Sequence, residues 1–283
     1  MDLVEMNLIL GGTGKTGRRI VERLRDAGRP VRAVARPLFD LGDPGTWAPA
    51  LAGATAAYLV EPDVQAAGAH GPDRLPRLVT EAVDAGVRRL VLLTAGGAGH
   101  DGHPLKPVEE AVRRSGVGWT ILRPTWFAQN FSESMWRPGV LSGTLALPTG
   151  DGRTPFVDAD DIASVAVAAL TDDRHHEQVY VLTGPRALTF GEAAALISGA
   201  TGRVVRHVDV EPAAYTASQV ASGVPPVVAE ILTGVYRDIR AGHGADLADG
   251  VERALGRPAG SFEDYVTRAA SAKAWGPTPR GSR

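Results

Sequence analysis

The stretch ILGGTGKTGRR, residues 9–19, constrains this chain more than any other. Glycines followed by Lys and Thr suit either a nucleoside triphosphate or a dinucleotide. A triphosphate loop of the form G-x-x-x-x-G-K-[ST] needs its first glycine where Ile9 stands, so that reading fails. What remains is Gly11-x-x-Gly14-x-x-Gly17, directly after the apolar run Met6–Leu10 and opening the amphipathic segment Thr16–Gly28. Glycines at this spacing allow a tight turn, close approach of backbone to a pyrophosphate and close helix–strand packing, with the phosphates at the helix N-terminus.

A loop of this kind needs a parallel sheet around it, and the rest of the chain alternates accordingly. Strands are expected at Met6–Leu10, Val31–Ala35, Ala56–Val60, Arg88–Thr94, Trp119–Arg123 and Gln178–Gly184. Helices are expected at Thr16–Gly28, Arg74–Gly86, Pro107–Gly116 and Asp160–Thr171, with further helices and one short strand, Val205–Val210, beyond Pro185. The fold class is therefore α/β: a Rossmann-type doubly wound parallel sheet with a small, mostly helical C-terminal substrate lobe. Residues 1–131 and 156–184 are expected to form the dinucleotide-binding domain. Residues 132–155 and 185–275 are expected to form a capping lobe at the carboxyl ends of the strands, where open α/β sheets bind ligands. Residues 276–283 have the composition of a flexible tail.

The end of the second strand selects between the two nicotinamide dinucleotides. An acidic residue there would bind the ribose 2′-OH and repel a 2′-phosphate. This chain has Arg36 instead, with Lys15 facing the same region, and two cations suit a phosphate. NADPH is the expected cofactor.

Several stretches together resemble the atypical short-chain dehydrogenase/reductases of the NmrA-like group. They are GGTGKTGRRIVERL, VRAVAR, PALAGATAAYLVEP, AVDAGVRRLVLLTA, HPLKPVEEAVRRSGVGWTILRPTWFAQNF, FVDADDIASVAVAAL, YVLTGPRALTFGEAAALISGATGRVV and LGRPAGSFEDYV, in family order over nearly the whole chain. That group includes NADPH-dependent quinone reductases, triphenylmethane reductases and redox-sensing regulators. The resemblance implies that Gly11, Thr13, Gly14, Lys15, Thr16 and Gly17 surround the pyrophosphate and that Arg36 meets the 2′-phosphate. It further implies Asp40 beside the adenine, Val60 along the cofactor ribose, Lys106 on the nicotinamide ribose, and Pro124 and Thr125 near the nicotinamide amide. Thr94 stands where the superfamily often keeps a Ser.

The chain departs from the family in two places. The usual Tyr-x-x-x-Lys pair is broken, because with Lys106 as the lysine the tyrosine position is Gly102. The proton that accompanies hydride transfer then comes from another acid such as His103 or Thr94, from water, or from an acidic hydroxyl of the substrate. The link from Arg36 to Asp40 is also short, so the adenine side is expected to be open. Thr94, Lys106 and His103 are thus the catalytic candidates. Trp126, Phe127, Phe131 and Trp136, just after the fifth strand, are candidates to line a pocket for a flat aromatic substrate. The carboxylates Asp158, Asp160 and Asp161 precede an apolar helix and read as its caps.

Other classes are set aside by composition. A net charge of −2 without basic clusters gives no footprint for nucleic acid. The absence of cysteine excludes disulfides and thiolate catalysis and fits a reducing compartment. No metal-ligand spacing, signal peptide or membrane-spanning stretch is present in the sequence. A cytoplasmic monomer or homodimer acting on an aromatic small molecule is expected. With only three lysines, the Ala-, Gly-, Arg-, Val- and Pro-rich composition resembles GC-rich bacterial coding. Its sole use is to make specialised-metabolite chemistry more plausible; it is the resemblance that implies, as the specific expectation, a tailoring ketoreductase of an aromatic polyketide antibiotic pathway. The reading from another class is a non-catalytic NADP-binding sensor acting through a protein partner.

Overall fold

The computed structural model describes residues 5–62 and 73–276. The chain divides into two compact units. The first contains Met1–Thr125, Ala159–Thr183 and Ala248–Ala259, and the second Trp126–Asp158, Gly184–Leu247 and Gly260–Arg283.

In the first unit the elements run β1 (Asn7–Leu10), α1 (Gly17–Asp26), β2 (Val31–Val34), α2 (Trp47–Leu51), β3 (Ala56–Val60), α3 (Arg74–Asp84), β4 (Arg89–Leu93), α4 (Lys106–Arg113) and β5 (Gly118–Pro124). They are completed by α5 (Ala159–Thr171), β6 (Gln178–Leu182) and α6 (Gly250–Leu255). The six strands form one sheet in the order β2-β1-β3-β4-β5-β6, all parallel. A parallel sheet carries helices on both faces, which is why β1, β3 and β4 read as continuous apolar runs. Leu8, Ile9, Ala57, Leu59, Leu90 and Leu92 are all fully buried. Each large side chain so buried contributes roughly 1.5–3 kcal/mol. The strand order reverses at β1, whose neighbours are β2 and β3. This is the switch point where open α/β sheets leave a crevice beyond the carboxyl ends of their strands.

The expected Rossmann-type sheet is present, with strand boundaries within a residue or two of those read from sequence. The short helix α2 was not foreseen. The unit boundaries also differ from expectation. Residues 248–259 belong to the sheet unit, not to the lobe, because α6 packs onto β6 so closely that a Cβ on Gly250 would lie 2.1 Å from the Val181 carbonyl oxygen. Residues 126–131 and 156–158 belong to the second unit, because Phe131 and Phe156 sit in that unit's core. The expected tail lies, from residue 277 onward, outside the described residues.

The second unit is mostly helical. It contains Asn130–Glu133, Arg137–Ser142, Phe190–Thr201, Pro212–Ala221, Pro226–Arg240 and Phe262–Ser271, with two small two-stranded sheets. Thr144–Leu147 pairs in parallel with Arg206–Asp209, and Arg153–Thr154 pairs antiparallel with Leu188–Thr189. The helix Phe190–Thr201 opens with a capping box: Thr189 Oγ1 accepts from the Glu192 amide at 3.0 Å, and the Thr189 amide donates to Glu192 Oε2 at 2.8 Å. Among the described residues, no helix is long and apolar enough to cross a membrane.

Candidate functional site

The crevice at the switch point is floored by the glycine loop. Gly11 follows β1 with φ of +64°, a conformation that disfavours any side chain. A Cβ on Gly12 would lie 2.6 Å from Ala33 Cβ, and one on Gly17 would lie 2.1 Å from the Gly11 carbonyl oxygen. Both positions therefore exclude side chains, so α1 begins tight against β1 and β2 and presents bare backbone around Thr13 and Gly14, both exposed. A helix N-terminus approached by naked glycine backbone is a ready anion site. Val60, the last residue of β3, borders the same turn: its Cγ1 lies 3.2 Å from where a Gly11 Cβ would be. Gly11, Thr13, Gly14, Lys15, Thr16, Gly17 and Val60 are thus brought together as a cradle that fits a dinucleotide pyrophosphate and ribose.

Behind the cradle, Thr16 is buried and its Oγ1 accepts a hydrogen bond from the Tyr58 hydroxyl at 2.8 Å. Tyr58 is fully buried, which pushes its phenol well above the ordinary tyrosine range and keeps it a donor. Tyr58 was not among the expected residues. Arg36 is exposed just past β2, with no carboxylate at the strand end beside it. Asp40 serves its own turn. Its Oδ1 accepts from the Gly42 amide at 2.8 Å, and its carbonyl oxygen accepts from Thr46 Oγ1 and Trp47 Nε1 at 3.1 Å each. It folds the short link into a turn.

Past β4, Thr94 is buried, and its hydroxyl donates to Glu109 Oε1 at 3.0 Å or to the Leu122 carbonyl at 3.3 Å. A proton directed at a carboxylate is not available to a substrate, so Thr94 is corrected from candidate acid to structural donor. Glu109, on α4, is 2% exposed and also receives Arg123 of β5: Nε donates at 2.9 Å to Oε1, and Nη2 donates to Oε2. The Glu109 carboxylate in turn raises Arg123 further above its ordinary value. Sequence reasoning missed this pair. The available signal was a charge inside the apolar series Leu105, Val108, Glu109, Val112, which share one helix face.

Lys106 opens α4 and is ion-paired with Asp101, with Glu110 Oε1 at 3.8 Å. Asp101 raises the ammonium above its ordinary range, and the lysine lowers the Asp101 carboxyl in return. Two residues before Leu105, the His103 ring accepts at Nδ1 from the Leu105 amide at 3.1 Å. Its neutral form therefore carries its proton on Nε2. Burial holds His103 below the ordinary imidazole range. Gly102, at the position of the family tyrosine, has φ of +81°. Pro124 ends β5, and the Thr125 amide continues the ladder to the Leu182 carbonyl at 3.0 Å.

In the second unit the aromatic residues form a cluster of their own. Phe131 is 0% and Trp136 2% exposed. They pack on each other at 4.7 Å between ring centroids, and both meet Phe156 and Phe190. Trp136 Nε1 donates to the Tyr236 hydroxyl at 2.8 Å. Phe131 and Trp136 are thus core residues, a correction to their expected place in a pocket. Trp126 and Phe127 are only half-buried, and Trp126 stacks on Tyr236 at 6.2 Å.

Residues 6–237 match the NmrA-like family. Among curated relatives, the chain is 33% identical to the NAD(P)H azoreductase of Xenophilus azovorans, covering 94% of this chain and 99% of that protein. It is 35% identical to the (4-alkanoyl-5-oxo-2,5-dihydrofuran-3-yl)methyl phosphate reductase of Streptomyces griseus, again over 94% and 99% of the two chains. In fold it is similar to the NADPH-dependent quinone oxidoreductase of Escherichia coli solved with NADPH. That match has a TM-score of 0.76 at 22% identity, covering 93% of this chain and 99% of that one.

Proposed function

The chain belongs to the NmrA-like family, and from that premise we propose that it is an NADPH-dependent reductase of a ketone or quinone carbonyl on a bulky aromatic small molecule. A polyketide-type specialised metabolite is the substrate we favour. The observation that carries the cofactor half is the side-chain-free cradle at the switch point with Arg36, not a carboxylate, at the end of β2. The reductase names of relatives alignable end to end support the oxidoreductase half.

When bound, NADPH supplies the hydride. In this reading the chain holds and orients. Gly11–Gly17 and the N-terminus of α1 receive the pyrophosphate, Arg36 and Lys15 the 2′-phosphate, Lys106 the nicotinamide ribose, and Pro124 and Thr125 the amide. With Thr94 committed to Glu109, His103 is the donor on this chain, offering Nε2–H to the carbonyl oxygen. A neutral imidazole is a weak acid, but a hydroquinone oxygen has phenol-like acidity near pKa 10. A hydrogen bond to the developing oxyanion then suffices, and water completes the protonation. The chain is thus better matched to quinones and other delocalised carbonyls than to simple ketones.

NADPH oxidation followed by absorbance against a panel of quinones and polycyclic ketones tests the reading, with turnover of at least one quinone expected. Arg36→Asp is expected to lower the NADPH-to-NADH ratio of kcat/KM by about tenfold or more, and an unchanged ratio would remove Arg36 from the cofactor site. Gly102 at the tyrosine position favours the second reading, a non-catalytic NADP-binding sensor. Tight NADPH binding without turnover across the panel would select it.

A further inference from the structure

One carboxylate ties together three elements of the sheet unit. Glu109 of α4 accepts from Thr94 just past β4 and from two nitrogens of Arg123 on β5. The outer side of the same guanidinium is covered by the segment 95–105. A Cβ on Gly99 would lie 2.4 Å from Arg123 Nη2 and 3.0 Å from Nη1, so the backbone there rests on the guanidinium and only glycine fits without displacement. One residue beyond Arg123, the Pro124 carbonyl accepts from the Gly96 amide at 3.0 Å. Ala98 and Leu105, at 0% and 3% exposure, pin the segment from below. The segment contains Gly96, Gly97, Gly99 and Gly102, a composition with high backbone entropy that holds one conformation only where it is anchored.

We infer that Glu109 is a positioning residue which, through Arg123 and Thr94, holds the segment 95–105 and with it His103 at the reducing site. The catalytic half of this inference rests on the reductase reading; the anchoring half does not. A hydrophobic group of similar size at each of Glu109 and Arg123 would fill the same space at little cost in stability, as replaced buried ion pairs often show, whereas losing Glu109 alone leaves the guanidinium without its partner. What such a group lacks is direction. The bidentate pair fixes the plane of the guanidinium, and that plane is the surface on which Gly99 lies.

The test uses the full chain with Glu109→Gln and, as a second variant that keeps both charged side chains but pushes the segment and the guanidinium apart, Gly99→Ala. In the cofactor-free protein, hydrogen exchange in peptides covering 95–105 is expected to rise about tenfold or more in both variants, with β1, α1 and the second unit unchanged. With NADPH and a quinone that the wild type reduces, kcat is expected to fall about tenfold to a hundredfold, while the NADPH dissociation constant measured by nicotinamide fluorescence stays within about twofold. Thr94→Val combined with Glu109→Gln is expected to be no slower than the slower single variant, because residues acting through one carboxylate are not additive. Wild-type exchange in 95–105, or a rise shared by the whole molecule, would overturn the inference, as would an unchanged kcat. A wild type that reduces nothing would sink the reductase reading, while the exchange data would still decide whether Glu109 anchors the segment.

Discussion

Tyr58 reaches from β3 to the start of α1 and gives its only proton to Thr16. With one lone pair so occupied, the Thr16 hydroxyl is left to donate elsewhere, and it stands at the helix terminus where an anion is favoured. Tyr58→Phe is expected to weaken NADPH binding by about three- to tenfold, the worth of one hydrogen bond, with kcat at saturating cofactor unchanged. Fluorescence titration measures the first and initial rates the second; an unaltered dissociation constant would confine Tyr58 to packing. The residue scale is also where sequence reading was most uneven. The glycines were legible because spacing specifies them, and the place of Arg36 just past β2 because an apolar run marks that strand. Glu109 and Arg123 were not, since their pairing depends on how β5 sits against α4, and neither spacing nor a local motif encodes that. The turn that Asp40 makes was not foreseen, although a carboxylate two residues before a glycine is placed to accept from that glycine's amide.

Elements differ in how much glycine they tolerate, and two positions expose the contrast. Gly17 opens α1 where a Cβ would collide with the Gly11 carbonyl, so Gly17→Ala must push the helix off β1. Loss of measurable NADPH binding is expected, with a fall in Tm, and retained affinity would disprove the tight junction. Gly199 lies inside Phe190–Thr201 with nothing near its Cβ position. Gly199→Ala is expected to stabilise by about 0.5–1 kcal/mol in denaturant titration, by limiting the unfolded chain. Strands and long helices of the sheet unit were legible from apolar runs and 3.6-residue periodicity. The helix α2 was not, because WAPAL carries a proline and spans five residues, too few for periodicity to register. In the second unit the strand Arg206–Asp209 was foreseen as Val205–Val210, while Thr144–Leu147 and the two-residue strands were hidden for the same reason as α2.

Over the whole molecule, the largest misreading was of Phe131 and Trp136. Their neighbours Phe190, Tyr236 and Phe262 are distant in sequence, so a local run of aromatics looked like a pocket where the fold makes a core. Stability against acid is likewise a property of the whole chain. Burial holds both His103 and His175 below the ordinary imidazole value, and the buried Nε2 of His175 has no hydrogen-bond partner among the described residues. Below about pH 6.5 the unfolded chain therefore binds protons that the folded chain refuses, so stability rises with pH across that range. Tm is expected to be lower at about pH 5.5 than at about pH 7.5, and His175→Gln is expected to narrow the gap. A Tm independent of pH over that interval would refute the assignment. Glu192, lowered chiefly by the Thr189 amide, adds a loss of the same sign only near and below the ordinary carboxylate range.

The sheet unit is drawn from three stretches, the last of them Ala248–Ala259. A ribosome releasing this chain has emitted β5 long before β6 can pair with it, and α6 follows β6 only after most of the second unit has been made. At about 5–20 residues per second, the interval between residue 125 and the end of β6 at residue 182 is of order several seconds. During it the nascent sheet exposes the bare edge of β5, Thr120 to Pro124, the site at which strand pairing with another chain is easiest. Vectorial synthesis thus makes the C-terminal third a condition for completing the N-terminal domain, and truncated products of this gene should be aggregation-prone even where the whole cofactor loop is intact.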